Sequence, residues 1–221
     1  MKIEFANHQF TASPTGALFW DEQKLLIVSD LHLEKGSNFA GRHSFLPPYD
    51  TKATLEKLIK AIEEFQPKSL LFLGDTFHDT SSLDRMHKDD KEVFSDIIST
   101  YKIFWIEGNH DEFHRPANID GTEMMAIQNL IFSHIADPEQ PRPEISGHYH
   151  PAIKFTHKGQ KVRRPCFVAT DKKLIMPAFG AFTGGLDIID PAYYFLDRPG
   201  RIYALGTGRV YEIPARLPCR Y

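Results

Sequence analysis

With 42% hydrophobic and 25% charged side chains, the 221 residues have the balance of an ordinary water-soluble chain, enough to bury one core as a single domain over residues 1–221. A net charge of −3 excludes a globally basic polyanion binder, and no apolar run approaches the ~18 residues that a membrane helix needs. Two cysteines, Cys166 and Cys219, are too few for a disulfide framework, and the start lacks a signal-peptide core, so the expectation is a cytoplasmic protein with reduced thiols.

In chain order, residues 3–29 read as successive strands. Leu18-Phe19-Trp20 and Leu25 to Ser29 flank the polar tetrapeptide Asp21–Lys24, as in a hairpin. The second of these strands runs into Ser29-Asp30-Leu31-His32. In extended backbone Asp30 and His32 share a face, and an oxygen beside an imidazole is a half-site for a divalent cation. A capping aspartate next to a surface histidine has the same spelling, so the motif alone leaves both readings open.

Residues 34–49 form a loop after that half-site, with Arg42 and His43 as phosphate contacts or solvated side chains. Asp50 reads as the N-cap of a helix to Phe65, whose apolar stripe is Leu55, Leu58, Ile59, Ile62 and Phe65. Pro67 ends it, and Leu70–Leu73 follows as a short strand apolar on both faces, making a β-α-β unit with parallel strands. This strand ends in Gly74-Asp75, leaving a carboxylate where open α/β sheets gather ligands.

A second helix is predicted from Asp84 to Thr100, with Val93, Phe94, Ile97 and Ile98 on its apolar face. Strand Ile103–Ile106 ends in Glu107-Gly108-Asn109-His110-Asp111, and strand Leu130–Ser133 ends in His134. A proline-rich loop leads to Gly147-His148-Tyr149-His150, where two histidines again share a face in extended backbone. Short strands complete the chain, with Lys158-Gly159-Gln160 and Gly206-Thr207-Gly208 as hairpin tips.

Three aspartates, five histidines and one asparagine thus fall at five strand ends, in the order D-x-H, G-D, G-N-H-D, H and G-H-x-H. This pattern resembles the calcineurin-like metallophosphoesterase superfamily over residues 30–150. The resemblance implies a four-layer α-β-β-α sandwich of two mixed sheets, an α/β fold. It implies one metal held by Asp30, His32, Asp75 and His150, and another by Asp75, Asn109, His134 and His148, with Asp75 bridging. It also implies that His110 serves catalysis by donating to the leaving oxygen, oriented by Asp111. The nitrogen and oxygen donors suit Mn²⁺, Fe or Zn²⁺. Ile135 stands where a glycine often follows the His134-type ligand. Thr76-Phe77-His78-Asp79 departs from the continuation found in protein serine/threonine phosphatases.

Further stretches, Asp30–Ser37, Leu46–Thr51, Arg163–Phe167 and Pro177–Leu186, are similar to a bacterial subgroup, the ligase-associated DNA-damage-response endonucleases. That resemblance implies a manganese-dependent DNA endonuclease or phosphodiesterase linked to DNA repair, with a DNA ligase, a helicase and an exonuclease as associates. Within residues 154–173, seven cations face only Asp171, a net +6 that could follow a phosphate backbone or simply protect a strand edge. Two other functions stay in view: a small-molecule phosphoesterase acting on nucleotides or cyclic nucleotides, and a non-catalytic scaffold.

Overall fold

The computed structural model describes residues 1–40, 49–110, 115–157, 159–196 and 200–213. Among these, the strands form two mixed sheets packed face to face. The first runs in spatial order β1 (Lys2–Phe5), β2 (His8–Ala12), β3 (Leu18–Trp20), β4 (Leu25–Val28), β5 (Ser69–Leu73), β6 (Lys102–Ile106), β7 (Gly121–Thr122). Its first four strands are an antiparallel meander, and β4 to β7 are parallel. The expected hairpin is β3–β4, with Leu18 opposite Ile27 and Trp20 opposite Leu25.

The crossover from β4 to β5 contains α1 (Lys35–Ala40) and α2 (Asp50–Phe65), and that from β5 to β6 contains α3 (Ser82–Arg85) and α4 (Lys88–Thr100). The second sheet comprises β8 (Met124–Ile127), β9 (Leu130–Ser133), β10 (Glu144–Ser146), β11 (Pro151–His157), β12 (Gln160–Ala169), β13 (Lys173–Ile175), β14 (Leu186–Asp187), β15 (Arg201–Leu205) and β16 (Val210–Ile213). Its order is β14-β11-β12-β13-β10-β9-β8, with β15 and β16 branching from β12. Both predicted hairpin tips join antiparallel neighbours, β11 to β12 and β15 to β16.

Strand β5 shows why the apolar run is unbroken. Leu71 and Leu73 enter the core between the sheets, and Leu70 and Phe72 the core under α2 and α4. All four are fully buried, each side chain contributing about 1.5–3 kcal/mol. A third core, with Ile153, Cys166, Val168 and Ile202, lies on the outer face of the second sheet against Phe195 and Leu196.

Two helix boundaries differ from expectation. Asp50 is the first residue of α2 rather than its cap, and its Oδ2 accepts the Gly36 N–H at 2.8 Å, spending the carboxylate on the start of α1. At its other end Gln66 turns left-handed, a C-cap conformation that stops the helix just before Pro67. The predicted Asp84–Thr100 helix is divided: Met86 and His87 are extended, with ψ of 133° and 146°, and His87 Nδ1 accepts the Asp89 N–H as a new N-cap.

Candidate metal centre

Parallel pairing places the ends of β4, β5 and β6 side by side, and the pairing does not stop at the strand ends. Asp30 N–H donates to Gly74 O (3.1 Å), His32 N–H to Asp75 O (2.9 Å) and Leu33 N–H to Thr76 O (2.9 Å). The D-x-H and G-D loops are thereby laced together by main chain. The extended geometry expected of Asp30-Leu31-His32 and His148-Tyr149-His150 is corrected here: the ligand-type residues are left-handed, with φ of 55°, 44°, 66° and 46° for Asp30, His32, His148 and His150. Asp75 joins them at φ 49°. Aspartate and histidine tolerate this region better than most residues.

These turns gather two clusters. In the first, His150 Nε2 lies 3.0 Å from Asp30 Oδ1 and 3.4 Å from His32 Nε2. In the second, His134 Nε2 lies 3.3 Å from Asp75 Oδ2, 3.3 Å from His148 Nδ1 and 3.2 Å from Asn109 Oδ1. Asp75 Oδ2 also stands 3.8 Å from His32 Nε2, so this one oxygen faces both clusters. His148 and His150, two residues apart, serve different clusters. For metal–ligand bonds of about 2.1 Å, neighbouring ligands stand about 3.0–3.5 Å apart, so the donor atoms are spaced and typed to fit two divalent cations.

The surrounding groups orient the donors. Asp30 Oδ2 accepts from Ser29 Oγ at 2.6 Å and from the His148 N–H at 3.0 Å, which turns Oδ1 toward His150. Asp75 Oδ1 accepts the His110 N–H at 2.9 Å, which turns Oδ2 toward the clusters. His134 Nδ1–H donates to Leu73 O at 3.0 Å, leaving Nε2 as the donor atom.

Electrostatics divides the histidines. Burial disfavours the His134 cation, but Asp75, the charge of Asp30 and the Leu73 carbonyl outweigh it and hold its pKa up at about 9. His32 is pushed down to about 3 by burial, which Asp30 and Asp75 offset only in part. Among the described residues its Nδ1 finds no hydrogen-bond partner, whereas both nitrogens of His134 have one. For Asp75, burial raises the pKa but the bonds from His134 and the His110 N–H win, keeping the carboxyl ionised well below the usual range.

His110 is exposed beside these clusters, its ring 5.4 Å from that of His32 and stacked on His78 at 5.7 Å. Asp111, Arg42 and His43 lie outside the described residues. Asp79 ties the structure together: Arg85 grips it with Nη1 (2.8 Å) and Nη2 (2.7 Å), and Asn38 Nδ2 donates to it at 2.8 Å. Sequence reading missed Arg85 and Ser29 because neither stands in a motif; their roles exist only once the loops have folded together. Ile135 in place of glycine changes little for His134, which remains buried with its ring fixed.

A family model for calcineurin-like phosphoesterases matches residues 23–178, and the chain belongs to that family. It is a metal-dependent phosphoesterase. No curated protein matches it. Among solved structures it is similar to the nuclease MPE of Pseudomonas putida, with 27% identity, a TM-score of 0.78, and coverage of 96% of this chain and 99% of that one. A phosphoesterase from E. coli, Yfce, is more distant at 13% identity and TM-score 0.43, covering 86% of this chain and 97% of its own.

Proposed function

We propose that the chain is a dinuclear metal-dependent phosphodiesterase that cleaves DNA internally. One observation carries the chemistry: the single oxygen Asp75 Oδ2, 3.8 Å from His32 Nε2 and 3.3 Å from His134 Nε2, facing two donor clusters at once. The likeness to the Pseudomonas putida nuclease over nearly the whole chain supports nucleic acid as the substrate. In this reading Asp30, His32, Asp75 and His150 hold one cation, and Asp75, Asn109, His134 and His148 the other. Bound there, two divalent cations would supply positive charge for holding phosphate oxygens, acidifying water and offsetting the charge that develops during displacement. Manganese is the ion we assign, Fe and Zn²⁺ being compatible with the same donors.

The chain's own contribution is position and a proton. Asp75 fixes the Asn109-His110 loop through the His110 N–H, so the exposed His110 ring is held beside both clusters. From there it donates a proton or hydrogen bond to the departing oxygen. A role in DNA repair beside a DNA ligase, a helicase and an exonuclease in the cytoplasm belongs to the same proposal, and co-purification tests it.

The deciding experiment is a screen of the Mn²⁺-loaded protein against DNA, cyclic nucleotides and an aryl phosphodiester, with Asp75→Ala and Asn109→Ala as controls. The expected result is metal-dependent cleavage of DNA and of the aryl ester, abolished in both variants. Turnover of cyclic nucleotides without DNA cleavage would replace this reading with a small-molecule phosphoesterase. Inactivity on every phosphoester would favour a scaffold.

A further inference from the structure

The basic segment does not act as one patch. Lys173 is buried and ion-paired to Glu144 at 2.6 Å, and Lys154 Nζ stands 3.1 Å from Asp187. Lys158 lies outside the described residues. Pairing of β11 with β12 sorts others by face, because side chains directly opposite share one. Arg164 lies opposite Ile153, on the face that continues through Cys166 and Val168 into the outer core. Arg163 lies opposite Lys154, on the face that continues along β12 through Phe167 and Ala169 into the core between the sheets.

That inward face brings Arg163 to the metal edge. Its Nη2 is 3.7 Å from where a Cβ on Gly185 would stand, and that same point is only 2.7 Å from the carbonyl oxygen of His150. The backbone of Gly185 is kept there by the Leu186 N–H, which donates to His150 O at 2.8 Å. Among the described residues the guanidinium has no hydrogen bond or ion pair, so its five donors are uncommitted beside a metal-cluster residue. A guanidinium matches phosphate oxygens in a bidentate fork, which an ammonium cannot do.

We propose that Arg163 grips a phosphate neighbouring the one under attack, making it a substrate-binding residue that selects a polynucleotide over a compact phosphoester. The inference rests on the nucleic-acid reading above and deepens it. A small ester has no neighbouring phosphate, so the two substrate types separate this role from metal binding and from folding.

The test compares wild type, Arg163→Ala and Arg163→Lys, measuring bound metal, aryl phosphodiester hydrolysis, and kcat/KM on DNA across a salt series. In Arg163→Ala, kcat/KM on DNA should fall about tenfold or more, chiefly through KM, and the salt slope should flatten by about one. Metal content and aryl-ester hydrolysis should stay unchanged, and Arg163→Lys should recover part of the loss. Equal DNA cleavage by Arg163→Ala and wild type overturns this inference alone, as does a parallel loss on both substrates. A wild type that hydrolyses the aryl ester but leaves DNA intact overturns the nucleic-acid reading and this inference with it.

Discussion

Gly108 presses its Cα against Asp75 so closely that a Cβ would stand 2.2 Å from both the Asp75 nitrogen and Oδ1. No rotamer change can relieve an overlap with backbone. Gly108→Ala is therefore expected to move the proposed bridging carboxylate, lowering bound metal below two ions per chain and hydrolysis by about 10²-fold or more, with the fold retained. Metal analysis and circular dichroism on the same sample check this; two tightly bound ions in the variant would contradict it.

His110 holds Asp75 through its main-chain N–H, so its ring can be removed without touching that bond. His110→Ala is expected to keep both metals and lose about 10²–10⁴-fold in DNA cleavage rate. An aryl ester with a good leaving group should suffer much less, because it needs little protonation. Loss of bound metal would show instead that the ring is a ligand.

Metal loading should depend on pH. The pKa of His134 is held at about 9 in the metal-free chain, so at pH 7 its ring carries a proton that a cation must displace. His32, near 3, carries none. Apparent affinity at the His134 cluster should thus rise as pH increases from 7 and level off near 9. Calorimetry in two buffers of different ionisation enthalpy counts the released proton; a flat affinity across this range would exclude the assignment.

Lys57 donates to Phe179 O at 2.6 Å and lies 4.4 Å from the Phe179 ring centre, and burial lowers its pKa from 10.5 to about 8. The unfolded chain binds the proton more tightly, so the cost of burying the cation is fully present below pH 8 and disappears as pH rises toward 10.5. Wild type should gain roughly 3 kcal/mol relative to Lys57→Met between those limits. Urea unfolding of both proteins at pH 7.5 and 10.5 measures the difference, and parallel profiles would rule it out.

Residue pattern reveals strand interiors and strand ends well here, for reasons visible in single cases. Leu70–Leu73 is legible because a strand covered on both faces must be apolar throughout, and Asp75 is legible because a polar residue directly beyond such a strand has to face an edge. The division of α3 from α4 was hidden, since the periodicity of Val93, Phe94 and Ile97 says nothing about where a turn upstream breaks. Asp50 is an instructive failure: aspartate before an apolar stripe usually caps its own helix, but here Gly36, 14 residues earlier in sequence, competes for it. The split of the basic segment was equally out of reach. Lys173 and Arg163 look alike in sequence, and only the sheet register makes one a buried partner of Glu144 and the other an uncommitted cation.

The five left-handed residues Asp30, His32, Asp75, His148 and His150 have a thermodynamic consequence. Outside glycine each such conformation costs about 1 kcal/mol or more, so the metal-free chain carries several kcal/mol of backbone strain concentrated at this edge. Donor identity and backbone shape are consequently selected together, since glycine would relax the turn but surrender the ligand. A lineage freed from the need for metal could drift to glycine at these positions and become more stable as it lost activity. The clusters therefore mark where this fold trades folding free energy for reach.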